Sequence, residues 1–147
     1  MKLSKGAAYA ILATRHIAAQ PKGAFVQGKA IALHCRVPTG HLLKILQQLV
    51  RAHVLVSERG PSGGFALARY SHEISLLELV ESIEGRITAE ISIADHVARD
   101  SALRDNLLSA IGEVTRQTRA RLATISLHDL NGARTSRVND AAPLALD

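Results

Sequence analysis

Apolar residues fall on a helical period through most of the chain. Ala7, Ala10, Ile11, Thr14, Ile17 and Ala18 lie about a turn apart, predicting a helix from a Ser4 cap to about Gln20. Pro21-Lys22-Gly23 should end it. Gln27 to His34 predicts a short second helix with Ile31 and Leu33 inward. Cys35-Arg36-Val37 then turns the chain, and Pro38 suits the first position of a third helix. In that helix Leu42, Ile45, Leu46 and Leu49 share one face, while Gly40, His41, Lys44, Gln47, Gln48 and Arg51 take the other. Helix, three-residue turn, helix is the helix-turn-helix signature.

The period then changes. Leu55 to Ser57 and Phe65 to Leu67 are short β-prone runs, separated by Arg59-Gly60-Pro61-Ser62-Gly63-Gly64. That interval has the glycine and proline chemistry of a tight turn. Phe25-Val26 reads as an extended piece able to pair with the hairpin. A helix followed by a hairpin with a basic, glycine-rich tip is a winged-helix arrangement. The helix suits a major groove and the tip an adjacent minor groove. A P-loop reading fails, because the glycines lead into a strand and no Lys-Ser/Thr follows them.

Ser75 to Glu84 predicts a further helix, with Leu76, Leu79, Val80 and Ile83 on one face, a Ser75–Glu78 capping box and Gly85 as the stop. Its glutamates read as a solvated face rather than a carboxylate site. Residues 86–99, with Ile87, Ile91, Ile93 and Val97, form a linker or short helix. From Asp100 to about Leu130 a long helix is expected. Leu103, Leu107, Ile111, Val114, Thr118, Leu122 and Ile125 make a near-heptad seam on it. Pairing with a second copy would cover that seam; packing back on the same chain is the other way. Residues 131–147 have no period and are expected to be a mobile tail. The expected fold is mainly α with a small β-hairpin wing: a winged domain over 1–85, the linker, and a dimerisation helix over 100–130.

Charge sharpens this picture. The chain has 147 residues and a net charge of +5, but residues 1–69 hold ten Lys/Arg against Glu58 alone, a net of +9. The remainder carries eight Arg against twelve acids, a net of −4. A polyanion facing the basic half accounts for the segregation. The candidate DNA contacts are Lys5, Lys29, Thr39, Gly40, His41, Lys44, Gln48, Arg51, Arg59, Gly60, Ser62 and Gly63. No run approaches the ~18 apolar residues of a membrane span. No convincing cleavage site follows the basic, briefly apolar N-terminus, so a cytoplasmic protein is expected.

Cys35 is the single cysteine, which excludes an internal disulfide framework. Neighbouring Arg36 and His34 would favour its thiolate, making it a candidate redox switch; the plainer expectation is a small buried side chain. His34, Cys35 and His41 match no zinc spacing. No catalytic triad or paired-carboxylate site stands out, so an enzyme finds no support.

MKLSKG, the helix-turn-helix, ERGPSGGFALAR and LLELVESIEG together resemble the Rrf-two (BadM/IscR/NsrR-type) family of bacterial regulators, over roughly Met1 to Gly85. The resemblance implies a homodimeric winged-helix transcription factor on a pseudo-palindromic operator, with the Arg59 tip in the minor groove; a repressor is the expected role. It also places Gly40, Leu43 and Lys44 at base-reading positions. Gly40 and Leu43 lack a hydrogen-bonding side chain, so a different operator preference is implied. Cluster-binding members carry three cysteines before and into the dimer helix, whereas Arg86 to Ala110 contains none. No cysteine-ligated iron–sulfur cluster, and no other cofactor, is therefore expected. An unknown small-molecule or redox effector stays open. The alternative is a dimeric adaptor whose basic half binds another polyanion or a protein.

Overall fold

Ser4 opens the fold by accepting a hydrogen bond from the Ala7 N–H at 3.1 Å, and α1 (Lys5–Ala18) grows from that cap. A computed structural model of the chain describes residues 1–90 and 94–132. The order continues with α2 (Gly28–Cys35), α3 (Thr39–Arg51), β1 (Leu55–Glu58), β2 (Gly64–Leu67), α4 (Leu76–Glu84), α5 (Asp95–Arg99) and α6 (Ser101–Ala123).

The core is aliphatic and centred on α3. Leu42, Ile45, Leu46 and Leu49 are buried there, against Ala10, Ala13 and Ile17 of α1, Ile31 of α2 and Leu79 of α4. Thr14 is fully buried, and its hydroxyl donates to the Ala10 carbonyl at 2.8 Å. That bond removes the desolvation cost of the one buried polar side chain among the described residues.

Between α2 and α3 the chain turns at Arg36, which takes a left-handed φ of 55°. The Val37 N–H then reaches back to the Ala32 carbonyl at 3.0 Å, and the Val37 side chain is buried. Pro38 occupies the cap position, one residue before α3 begins. Leu33 does not face inward. It is 82% exposed, because α2 offers the core only the Ile31–Ala32 side.

β1 and β2 pair antiparallel with Leu55 opposite Leu67 and Ser57 opposite Phe65. The Phe25-Val26 piece joins them as expected, through an antiparallel bridge between Val26 and Phe65. Further on, Ser75 and Glu78 close their capping box, with Glu78 N–H on Ser75 Oγ at 3.1 Å and Ser75 N–H on Glu78 Oε2 at 2.9 Å.

The long helix departs from expectation at its end. α6 stops at Ala123, not near Leu130, so Ile125 lies outside it. Thr124 caps the last turn by bonding its hydroxyl to the Arg121 carbonyl at 2.8 Å. The chain then runs back to the winged domain. The Leu76 N–H donates to the Ile125 carbonyl at 2.7 Å and the Leu127 N–H to the Ile74 carbonyl at 2.8 Å. Leu127 is completely buried in the same core as Leu46. Ile91, Ile93 and most of the expected tail, residues 133–147, lie outside the described residues. No helix among the described residues is long and apolar enough to cross a membrane.

Candidate nucleic-acid interface

Helix α3 buries one face and presents the other. Thr39, Gly40, His41, Lys44, Gln47 and Arg51 are exposed, and Gln48 is half-buried. Gly40 has open space where a side chain would project. Leu43, which the resemblance places at a base-reading position, also has a packing role. It is half-buried, and a Cβ on Gly28 would lie 2.6 Å from Leu43 Cδ2 and 3.5 Å from Phe65 Cε2. Leu43 therefore packs α3 against the start of α2 and the wing.

The wing tip is shaped by its backbone. Gly60 has a φ of 105°, and its carbonyl accepts from the Gly63 N–H at 3.0 Å. A Cβ on Gly63 would sit 2.3 Å from the Glu58 carbonyl oxygen, so Gly63 lies buried on the inside of the turn. Arg59, Gly60 and Ser62 are exposed around it. Gln27, which the sequence pattern did not single out, donates from Nε2 to the Pro61 carbonyl at 3.0 Å and ties the tip to the start of α2.

Helix and wing face each other across an open cleft of about 420 Å³, lined by Gln47 and Arg51 on one side and by Ser57, Glu58 and Arg59 on the other. Among the described residues Lys44, Arg51 and Arg59 have no carboxylate partner, so their charge is free for an outside anion. Lys29 is exposed at the start of α2. Lys5 is exposed too, but it lies beside α4, where the neighbouring Ser4 N–H donates to Glu84 at 2.7 Å; it is not on the cleft.

Cys35 is half-buried at the turn, and burial pushes its thiol above the usual range. The thiolate expected from Arg36 and His34 is thus opposed by desolvation. His34 stacks on His16 with ring centroids 3.9 Å apart, while His41 meets Tyr9 edge-on at 6.1 Å. The His34–Cys35–His41 trio does not assemble. No group of three or more His, Cys, Asp or Glu able to hold a metal occurs among the described residues.

The seam of α6 is uneven. Leu103 and Val114 are exposed, Leu107, Ile111 and Thr118 are half-buried, and Leu122 is buried in its own chain. Arg119 fixes the inner side of the helix to α4 through two bonds to Glu81, Nε to Oε1 at 2.7 Å and Nη2 to Oε2 at 3.0 Å. The guanidinium bond, more than any other contact, holds the Glu81 carboxyl below its usual range.

A helix-turn-helix, a bridged wing and a long C-terminal helix coincide with the Rrf2 family model, described as "Iron-dependent Transcriptional regulator", over residues 3–132. The chain belongs to the Rrf2 family. It is a winged-helix, DNA-binding transcriptional regulator. Relatives include the HTH-type transcriptional regulator BadM of Rhodopseudomonas palustris, 30% identical over 86% of this chain and 81% of its own length. YffB of Lactococcus lactis, also named an HTH-type regulator, is 29% identical over 86% of this chain and 85% of its own. In fold, CymR, titled the global cysteine regulator of B. subtilis, superposes with a TM-score of 0.65 at 22% identity, covering 89% of this chain and 96% of CymR. T. potens IscR does so at 0.64 and 22% identity, covering 100% of this chain and 94% of IscR.

The iron named in the family description meets a poor donor set in this Rrf2 protein. Its one thiol, Cys35, sits at the helix-turn-helix turn, with burial favouring the protonated form. These residues do not fit a cysteine-held cluster.

Proposed function

We propose that this Rrf2 protein is a cytoplasmic, homodimeric repressor that reads a pseudo-palindromic operator and carries no cysteine-ligated iron–sulfur cluster and no enzymatic activity. The observation that carries the reading is the cleft between α3 and the wing, with Arg51 and Arg59 on its walls and Lys44 exposed on the same face of α3, none of them with a carboxylate partner among the described residues. Lys44 and Gln47 reach base edges in the major groove, Arg59 inserts into the neighbouring minor groove, and Lys29, Thr39, His41, Gln48 and Ser62 hold the phosphate backbone. Gly40 leaves room for close approach of the helix.

A second copy of the chain pairs along the exposed Leu103–Val114 side of α6, which places two reading heads on one face of a duplex. Cys35 packs rather than senses, consistent with its raised pKa. The adaptor alternative is weaker, since it gives no reason for a groove-sized helix beside a basic wing tip. Binding of the purified protein to the DNA upstream of its own gene, compared with unrelated DNA of equal length, tests the proposal. Operator preference with two protomers per site is expected; equal affinity for both DNAs overturns it.

A further inference from the structure

At the end of the wing's ribbon opposite its tip lies a second cleft, of about 430 Å³, between the end of α1 and the end of β2. Its inner wall is apolar: Ile17 and Ala18 of α1, Ala24 of the loop, and Leu67 of β2. At its mouth stand Lys22 and Tyr70, with Gln20, Ser71 and Glu73 also on the lining; the Glu73 carboxylate is engaged, accepting from the Tyr70 N–H at 3.0 Å. The Lys22 ammonium donates to the Tyr70 hydroxyl and lies 4.1 Å from the centre of that ring, and no carboxylate pairs with it among the described residues. The other cation on the rim, Arg69, is already engaged, donating to the Glu73 carbonyl at 3.0 Å and to the Glu78 carboxylate at 2.6 Å.

An open cleft with an apolar inner wall and, at its mouth, an ammonium without a carboxylate partner beside a hydroxyl matches a ligand with a hydrocarbon body and a single anionic head. We propose that this cleft is an effector site for small monocarboxylates with an aliphatic or aryl body, bound head-outward on Lys22 and Tyr70. The effector role rests on the repressor reading above.

The two walls of the cleft lead directly into the DNA-reading parts. From Ala24 the chain continues to Val26, which exchanges two backbone hydrogen bonds with Phe65, and to Gln27, which holds the wing tip at Pro61. From Leu67 the other wall is β2 itself, paired with β1. A ligand wedged between these walls shifts the 21–27 segment against β2, and thereby the wing tip against α3. Bound carboxylate therefore changes operator affinity without touching DNA.

The test is titration of the full chain, by calorimetry or NMR shifts, with hexanoate and phenylacetate, and with hexylammonium as the charge-reversed control at constant ionic strength. Saturable binding of both carboxylates is expected. Lys22→Met should weaken it about 10- to 100-fold, the loss of a charge-assisted hydrogen bond, with the thermal midpoint of the free protein unchanged. Ala18→Phe, which fills the inner wall, should abolish it, with folding checked by circular dichroism. No saturable shift up to about 10 mM, equal binding of hexylammonium, or undiminished binding by Lys22→Met overturns the site. Saturable binding that leaves the affinity for upstream DNA unchanged overturns its effector role. Affinity for DNA without carboxylate is measured separately, so failure of the repressor reading and failure of this site are told apart.

Discussion

Val26 and Phe65 exchange both backbone hydrogen bonds, Val26 N–H to Phe65 O at 2.9 Å and Phe65 N–H to Val26 O at 2.8 Å. This pair turns a two-stranded hairpin, marginal by itself, into a wing anchored to the helix-turn-helix. It depends on Gly64. A Cβ there would sit 2.3 Å from the Val26 carbonyl oxygen, at a φ of 140° that side chains rarely adopt. Gly64→Ala should cost about 2 kcal/mol or more through strain and the displaced bridge. Denaturant unfolding measures the loss, and faster amide exchange at Phe65 than at Leu55 would show that the bridge opens first.

The C-terminal segment belongs to the winged domain's core. Leu127→Ala removes a completely buried side chain from the core that also holds Leu46 and should cost about 2–5 kcal/mol, as Leu46→Ala would. A chain truncated after Gly85 should be far less stable than the full chain, because Leu122 and Leu127 leave its core uncovered. Equal unfolding midpoints for the truncated and full chains would contradict that.

Much of this architecture is legible in the residues. The one-face spacing of Leu42, Ile45, Leu46 and Leu49 marks α3, and Ser75 with Glu78 marks the start of α4. Phe25-Val26 suggests an added edge to the wing. Gly64 hides its role, because in Gly63-Gly64 both residues look like turn flexibility, while its actual constraint comes from a segment far back in sequence. The end of α6 is obscured by a coincidence of period. Ile125 falls three residues after Leu122 and continues the seam on paper. The competing signal was Ser126-Leu127-His128-Asp129, where Ser126 N–H and Oγ bond Asp129 Oδ2 at 3.0 and 2.9 Å. That reciprocal turn starts a new element and releases Leu127 inward. In the interface, the packing role of Leu43 is hidden for a related reason. Its contact with Gly28 depends on how α2 crosses α3, which periodicity does not encode.

For the proposed dimer, Val114 separates pairing from folding. It is 60% exposed in the single chain, so Val114→Glu should leave the fold intact yet place a carboxylate in the proposed seam, yielding a monomer by light scattering. Leu122→Glu should instead destabilise the chain itself, since Leu122 is 7% exposed within it. A Val114→Glu protein of unchanged dimer mass would show that this face does not pair.

His16 makes the fold sensitive to acid. Burial first, and the charge of the neighbouring His34 imidazole second, hold its pKa below the ordinary value of 6.5. The unfolded chain then binds more protons than the folded one between the lowered pKa and 6.5, so stability rises with pH there and falls on acidification. Arg15 and Cys35 line the same groove, together with His34, and offer no carboxylate to offset the charge. Denaturant midpoints from about pH 7.5 to about pH 5 should fall for the wild type and fall less for His16→Gln. Parallel curves would refute the assignment to His16.

If the face formed by α3 and the wing reads DNA, operator binding must depend steeply on salt. Affinity for upstream DNA, measured by fluorescence anisotropy across a series of salt concentrations, should fall log-linearly, by ~0.9 per phosphate neutralised. A dimer making about six to ten such contacts gives a steep slope. Arg59→Ala should reduce specific affinity and flatten the slope while the unfolding midpoint stays put, and Lys44→Ala should lower the preference for operator over unrelated DNA by ~1–3 kcal/mol. A slope near zero, or Arg59→Ala and Lys44→Ala proteins that bind operator as the wild type does, would contradict it.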